Sequence, residues 1–384
     1  MNGFLSNKES PQPDASEAVM LEAVRLALRG KGATAPNPCV GAVLTRNGHI
    51  VARGWHRQYG GPHAEVEVLR DAEQNAIDPA DCTLWVTLEP CNHTGKTPPC
   101  TQAVLAAGVK HVVIGTLDPN PDVAGGGAEF LRKNRVKVEL GVAETACRDL
   151  IADFLVWKTT PRPYSLLKLA ATLDGKIATR NGHSQWISCP ESRRLVHDMR
   201  GLAQAVIVGG NTFYQDNPQL TRRHGNATRQ PLAVVVTSRL PDPKADFALV
   251  RDRAIETIFW TSEQNAASPR AAGLQKAGCR VWGLGPGHKG LDLAEGFERL
   301  RQECGCLYTL CEGGGSLGMA LLEQRLADEF VLFLAPRILG DESARSLFSG
   351  RKIEYINEGL ELRLSHLGQS GQDALLTFRP NEEQ

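Results

Sequence analysis

The chain carries no net charge: 43 Lys and Arg stand against 43 Asp and Glu in 384 residues. That balance excludes a general polyanion binder working through a basic surface. Aromatic residues make up only 6%, too few for the stacking surfaces of a single-strand nucleic-acid binder. No apolar run approaches the length of about 18 residues needed to cross a bilayer. The first twenty residues, with Glu9, Asp14 and Glu17, lack the basic-then-apolar pattern of a secretory signal. Neither a membrane nor a nucleic acid is therefore expected as a partner, and the expected location is cytoplasmic. In that setting ten cysteines point to reduced thiols or metal ligands rather than a disulfide framework. What is present is ordinary for a packed protein: 42% hydrophobic and 22% charged residues, which excludes intrinsic disorder. At roughly 150 residues per domain the length allows about two or three domains.

Asp14 with Glu17 makes a capping box for a helix carrying Val19, Leu21, Val24, Leu26 and Leu28, which stops at Gly30 and Gly32. Val40–Leu44 and His49–Ala52 flank Asn47-Gly48, a dipeptide suited to a tight hairpin turn. Strands at Leu84–Leu88, His111–Gly115 and Val136–Leu140 then alternate with helices from Pro62, from Pro98-Pro99 and over Ala128–Lys133. A single helix is predicted over Ala143–Val156. This order predicts a helix–sheet–helix α/β layer. Pro161-Arg162-Pro163 cannot continue a helix, so a domain boundary is placed near residue 160, giving domains over 14–160 and 161–384. The second half alternates again: strands at Tyr164–Ala170, Ala205–Val208, Leu232–Thr237, Thr257–Trp260, Leu307–Leu310, Phe330–Leu334 and Ala374–Phe378, with helices near Glu191–Met199 and from Gly313-Gly314-Gly315 to Arg325. No internal repeat is present.

Chemistry concentrates first in Pro62-His63-Ala64-Glu65, Pro90-Cys91 and Pro99-Cys100. One imidazole and two thiolates supply three of zinc's four tetrahedral positions and leave one open for water. Glu65, two residues after the histidine, need not be a ligand and can shuttle protons beside that water. Zinc deaminases carry His-x-Glu followed by Pro-Cys-x-x-Cys. Here the cysteines are separated by eight residues, Asn92 to Pro99, a polar and cationic loop suited to an anionic group such as a phosphate. His93 is the one candidate for a fourth ligand that would close the site. Cys39, Cys82, Cys147, Cys189 and Cys279 read as small core residues, and Cys304, Cys306 and Cys311 lack a histidine partner. A deaminase acting on nucleic acid or nucleosides, fused to an unrelated reductase-like domain, and a scaffold with a purely structural zinc are the alternatives.

Taken together, Asn37-Pro38-Cys39-Val40-Gly41-Ala42-Val43, Gly61-Pro62-His63-Ala64-Glu65, the two Pro-Cys pairs and Asp118-Pro119-Asn120-Pro121 resemble the riboflavin-biosynthesis bifunctional deaminase/reductase family. The second half continues the resemblance with Leu173-Asp174-Gly175-Lys176-Ile177-Ala178, Ser184-Gln185-Trp186-Ile187, Asp216-Asn217-Pro218, Leu220-Thr221 and Glu312-Gly313-Gly314. The resemblance implies a cytidine-deaminase-like α/β/α domain followed by a dihydrofolate-reductase-like α/β domain. It implies zinc on His63, Cys91 and Cys100, with Glu65 as the catalytic residue. Asn37 and His56 would face a diaminopyrimidine carrying a ribosyl phosphate, with His93, Lys96 and Thr97 near its phosphate.

For the second domain the resemblance implies NADPH as hydride donor, contacted by Ala170, Trp186, Thr212, Asp216, Ser238 and the stretch Gly314, Gly315, Ser316, Leu317, Gly318, Met319 and Ala320. Lys168, Ser184, Arg200, Leu220, Arg223 and Glu312 would meet the sugar phosphate, with Arg222 competing for the place of Arg223. Trp186 reads equally as a core residue. Backbone N–H groups at the glycine-rich helix start suit a phosphate. No Gly-x-Gly-x-x-Gly follows a strand in the expected setting, so a Rossmann domain is not supported. Lys168 and Glu312, polar groups beside apolar strand residues, are costly without a task. The implied chemistry is deamination of the base and reduction of the ribosyl group to a ribityl chain by a homo-oligomeric enzyme.

Overall fold

The computed structural model describes residues 14–93, 98–120, 126–223, 229–287 and 290–381. Two compact units divide after Thr160. In the first, α1 (Ala15–Ala27) begins at Asp14, whose carboxylate accepts from the Glu17 N–H at 2.7 Å. The strands β1 (Gly41–Arg46) and β2 (His49–Trp55) form a hairpin on Asn47-Gly48, both with positive φ as a two-residue hairpin turn requires. They are followed by α2 (Ala64–Gln74), β3 (Thr83–Leu88), α3 (Cys100–Ala106), β4 (His111–Thr116), α4 (Gly127–Lys133) and β5 (Lys137–Leu140). The sheet order is β2-β1-β3-β4-β5, antiparallel through β1 and parallel from β3 to β5.

The register shows why helices cover both faces. Gly54 pairs with Ala42 and Gly41 with Trp55, so positions 41 and 54 point to opposite sides of the sheet. A Cβ on Gly41 would lie 2.0 Å from the Ala23 carbonyl of α1, and one on Gly54 2.3 Å from the Val68 nitrogen of α2. Both helices rest directly on sheet backbone. The predicted helix over 143–156 is instead two, α5 (Glu144–Leu150) and α6 (Ala152–Thr159). The chain leaves helical geometry at Ile151, and the bend brings buried Asp153 to 2.7 Å from the Lys31 ammonium.

The second unit is built on nine strands: β6 (Tyr164–Thr172), β7 (Ala205–Gly209), β8 (Leu232–Val236), β9 (Thr257–Ser262), β10 (Arg280–Leu284), β11 (Tyr308–Cys311), β12 (Glu329–Ala335), β13 (Leu362–Ser370) and β14 (Asp373–Pro380). Their order is β10-β9-β8-β7-β11-β6-β12-β14-β13. Every pair from β10 to β12 is parallel, and β14 and β13 add an antiparallel edge. The principal helices are α7 (Pro190–Leu202), α8 (Gly210–Asp216), α9 (Leu293–Cys304) and α10 (Gly315–Glu323). Leu167, Leu169, Ile207, Val234, Trp260 and Phe297 lie in one buried core. The strand β13, the strand β10 and the helix α9 were not expected from the sequence. Among the described residues no helix is long and apolar enough to cross a membrane.

Asp373, fully buried, accepts from the Cys189 N–H at 2.8 Å and the Ser192 hydroxyl at 2.6 Å, so β14 anchors the start of α7. Asp174 plays a comparable part at a turn. The Thr172 hydroxyl at 2.6 Å and the Gly340 and Leu339 N–H groups hold its carboxyl at about 2, below its ordinary 3.8. Its folded value is depressed, so its contribution to stability is present above about pH 4 and fades as the pH falls toward about 2. The melting-temperature gap between the natural chain and Asp174→Asn should therefore be open at pH 6 and narrow below pH 4. A gap that does not change with pH would remove this reading.

Candidate active sites

In the first unit the parallel strands deliver their C-terminal ends to one edge. There β3 runs into Glu89-Pro90-Cys91. Buried Glu89 fixes that turn by accepting from the Ala128 N–H at 2.9 Å and the Asp118 N–H at 3.2 Å. His63 is the N-cap of α2, and Cys100 is the first residue of α3. The ligand atoms of His63, Cys91 and Cys100 lie within 4.8 Å of one another, the one such convergent group among the described residues. His63 Nδ1 is 3.2 Å from Cys100 Sγ and 3.6 Å from Cys91 Sγ. The Cys100 N–H donates to Cys91 Sγ at 3.4 Å.

The acid–base character of this group is that of a cation site. The Cys100 thiol bonded to Cys91, together with His63, pulls the Cys91 thiol down to about 4. The same neighbour and burial push Cys100 far above the usual thiol range. Without a cation one sulfur ionises at the expense of the other; a dication lets both be thiolates. The donor set of one nitrogen and two sulfurs fits zinc. His93 is exposed and stands outside the group, so the described residues supply three ligands and no fourth.

Glu65 is 3% exposed, and burial pushes its carboxyl up to about 7, with His63 opposing. It lies in hydrogen-bond contact with Cys100. His56 stands beside His63, ring centroids 5.4 Å apart. Its Nδ1 bonds the Pro62 carbonyl at 2.8 Å, which leaves Nε2 to accept from Asn37 Nδ2 at 3.4 Å. Burial draws His56 below the usual histidine range, the Pro62 bond opposing. Asn37 and His56 thus border the three ligands, whereas Lys96, Thr97 and Pro121 lie outside the described residues.

In the second unit a cleft of about 1970 Å³ lies across the C-terminal ends of β6, β11, β7 and β8. Its lining brings together Ala170, Trp186, Thr212, Asp216, Ser238 and Gly314–Leu317 with Lys168, Ser184, Arg200, Leu220, Arg223 and Glu312. Of the expected stretch, Gly314–Leu317 line the cleft. Gly318, Met319 and Ala320 are not in the lining, because α10 turns them toward the protein interior. Gly318 faces Leu167 and Leu169, Met319 is 8% exposed, and Ala320 packs on the core. Arg223 lines the cleft and Arg222 does not; Arg222 packs against Gly201 instead. Trp186 is no core residue: it is 58% exposed, with the Arg193 guanidinium 4.7 Å from its ring.

At the cleft floor Arg200 forks onto Glu312, Nε–Oε1 2.6 Å and Nη2–Oε2 2.9 Å, and also donates to the Thr221 carbonyl. Burial alone would raise Glu312; Arg200 brings it below the usual carboxylate range. Burial lowers the Lys168 ammonium, Glu312 opposing. Gly315 takes no side chain, since a Cβ there would sit 2.5 Å from the Leu347 carbonyl. The open N–H groups of α10 and the many arginines of the lining fit a phosphorylated dinucleotide. Sequence reasoning did not find Arg193 and His197, which also line the cleft. Their spacing with Arg200 at i, i+4 and i+7 on one helix face was the available signal.

Comparison with known proteins covers both halves. Residues 163–376 match the family described as RibD C-terminal domain, and residues 13–116 the cytidine and deoxycytidylate deaminase zinc-binding region. A riboflavin biosynthesis protein RibD of Aquifex aeolicus is 40% identical over 357 residues, 93% of this chain and 96% of that one. The Escherichia coli protein of that name is 35% identical over 378 residues, 94% and 98% of the two chains. A solved Thermotoga maritima structure, a diaminohydroxyphosphoribosylaminopyrimidine deaminase/5-amino-6-(5-phosphoribosylamino)uracil reductase, superposes with TM-score 0.73 at 35% identity, covering 96% and 99%. Acinetobacter baumannii RibD superposes with TM-score 0.70 at 34% identity, also 96% and 99%. Both halves match together, so the alternative of a deaminase fused to an unrelated domain falls.

Proposed function

The chain belongs to the riboflavin-biosynthesis bifunctional deaminase/reductase family, and from that premise we propose which residues perform its two reactions and on what. The chain is a zinc-dependent deaminase and an NADPH-dependent reductase. The proposed first substrate is 2,5-diamino-6-(5-phosphoribosylamino)pyrimidin-4-one, and the proposed final product 5-amino-6-(5-phosphoribitylamino)uracil. The deaminase domain is assigned to 14–160 and the reductase domain to 161–384.

The observation that carries the first assignment is the convergence of one imidazole and two thiols, with a buried carboxyl beside them and no fourth ligand among the described residues. His63, Cys91 and Cys100 would hold zinc, which when bound supplies the electrophilic activation of water. Glu65 takes the proton released by the attacking water onto its carboxylate. It delivers that proton to the ring nitrogen, then takes the second proton from the hydroxyl left on the carbon and delivers it to the departing amino group, so that the carbonyl forms and ammonia leaves. Asn37 and His56 orient the pyrimidine, and His93, Lys96 and Thr97 are assigned to its phosphate.

In the reductase cleft NADPH, when bound, supplies the hydride. Ala170, Trp186, Thr212, Asp216, Ser238 and Gly314–Leu317 would hold it. Lys168 would face the sugar oxygen, with Glu312 opposing the lowering that burial imposes on its ammonium. Arg223 and Ser184 take the phosphate end, and the Glu312–Arg200 pair and Leu220 shape the floor. The enzyme is read as a cytoplasmic homo-oligomer that binds no nucleic acid. Support for a second copy comes from Ile356 (94% exposed) and Leu367 (65%), apolar side chains on or beside the edge strand β13.

Mass spectrometry of the diaminopyrimidine incubated with the zinc-loaded chain tests the reading. Without NADPH the expected change is replacement of an amino group by a carbonyl oxygen; with NADPH a gain of two hydrogens follows. Reduction with no deamination, or neither change, would overturn it.

A further inference from the structure

The segment from Gly30 to Asn37 leads from the end of α1 to the deaminase site, and its backbone is tied to the residues it passes. Gly30 rests directly on the chain at His56: a Cβ there would lie 2.3 Å from the His56 carbonyl oxygen. Farther along, the Ala33 carbonyl accepts from the Tyr59 N–H at 3.0 Å. Within the segment the Ala33 and Thr34 N–H groups donate to the Gly30 carbonyl at 3.0 and 3.1 Å, and the Asn37 N–H to the Thr34 carbonyl at 2.8 Å. These turns bring Asn37 back to His56, where Nδ2 donates to Nε2 at 3.4 Å. Thr34, 1% exposed, fills the core side, its hydroxyl 3.4 Å from Cys39 Sγ.

Lys31 ties the same segment to α5 and α6. Its ammonium is 2.7 Å from Asp153 Oδ2 and donates to the Leu150 carbonyl at 3.0 Å. Leu150 is the last residue of α5, and its carbonyl is among those that a helix end leaves without an intrahelical donor. Asp153 Oδ1 accepts from the Phe154 N–H at 2.9 Å, so both carboxylate oxygens are engaged. The Asp153 side chain is 3% exposed and that of Lys31 26%. A buried charge pair adds little net stability over apolar residues of the same volume, because desolvation offsets the attraction. What it adds here is a fixed geometry: through Lys31, the bend at Ile151 is connected to a residue that borders the zinc ligands.

We propose that Lys31 and Asp153 are positioning residues for the deaminase, holding Asn37 in place against His56 so that affinity for the pyrimidine depends on an ion pair at the α5–α6 bend. Neither residue touches the base; both act through the segment that ends in Asn37. An amide held in its binding orientation meets the substrate without first being ordered, and releasing the tie at Lys31 makes each binding event bear that ordering. The effect therefore falls on substrate binding and spares the proton transfers assigned to Glu65. This inference rests on the reading of Asn37 as a residue that faces the substrate.

Steady-state deamination by the zinc-loaded full chain, with zinc content measured beside it, tests the proposal. Asp153→Asn keeps the volume and removes the charge; it should raise KM for the diaminopyrimidine about three- to tenfold and leave kcat within about twofold. Lys31→Met should do the same from the other side of the pair, whereas Lys31→Arg, which keeps a cation there, should recover most of the natural KM. In an Asn37→Ala background Asp153→Asn and Lys31→Met should each add less than about twofold, because residues that act through one another are not additive. A natural KM in both variants, a fall in kcat alone, or a loss of full size in the Asn37→Ala background would overturn the inference. Loss of zinc from either variant would overturn it too, by assigning the pair to the metal centre. An Asn37→Ala chain with the natural KM overturns the reading of Asn37 itself, and that arm separates the two failures.

Discussion

Glu65→Gln should retain one zinc per chain and lose about 10²- to 10⁴-fold in the rate of ammonia release, the usual worth of a positioned general acid–base group. The substitution keeps size and hydrogen bonding in a site that is 3% exposed, so packing is not what changes. What changes is that an amide cannot carry a proton between water and the departing nitrogen. Reduction of substrate deaminated beforehand should be untouched, because the cleft of the second unit has its own lining and core. A zinc measurement beside both activities separates the roles. If Glu65→Gln deaminates at the natural rate, or loses its metal, the carboxyl is not the proton carrier.

Removing the metal should have the larger effect on the same reaction. Cys100→Ala takes one of three ligands and should abolish zinc retention and deamination together, to the background of the assay. Reduction of pre-deaminated substrate should stay within about twofold. A chelator acting on the natural chain should do the same, reversibly, with activity returning on added zinc; Cys100→Ala should not respond. Zinc should also raise the unfolding temperature of the stripped natural chain, since a ligand that binds the folded state alone stabilises it by mass action. A chain fully active in deamination after its metal is gone would refute the assignment of His63, Cys91 and Cys100.

These two sites were not equally legible in the sequence. His63 and Glu65 share one segment, and Cys91 and Cys100 the next, each introduced by a proline, so the deaminase centre can be read as a phrase. The reductase cleft gathers residues from 168 to 349, and most of them carry no local signature. Arg193 and His197 belong to a helix face that is ordinary for any solvated helix, and Arg239 follows a strand end with no motif around it. By a local rule only the glycine cluster at 313–315 and the polar Lys168 and Glu312 beside apolar strands stood out; the other second-half motifs were legible through the family resemblance alone. Gly318–Ala320, expected in the same stretch, lie outside the lining for a related reason. A run of residues along a helix start reads as one stretch, but after one turn the helix rotates its side chains away from the cleft.

Elements were legible where a local rule fixed them. Asp14 capped its helix, and Asn47-Gly48 turned its hairpin. The strand Leu362–Ser370 was missed because its polar and glycine residues break the apolar alternation, as suits an edge strand half in solvent. The break at Ile151 was hidden because nothing in the apolar pattern marks it; the ion pair of Asp153 with Lys31, far away in sequence, accompanies the bend.

The carboxylate of Asp373 has a consequence for how the protein is made. Ser192, which it secures, is translated 181 residues earlier, whereas His63 and Cys100 are separated by only 37. On the ribosome the metal-binding half can close its short loops and finish folding early. The helix bearing Arg193, His197 and Arg200 must wait, incompletely docked, until the closing hairpin has emerged. The second reaction's cleft is therefore the last part of the molecule to mature, and the interval before it does is when a chaperone has most to hold.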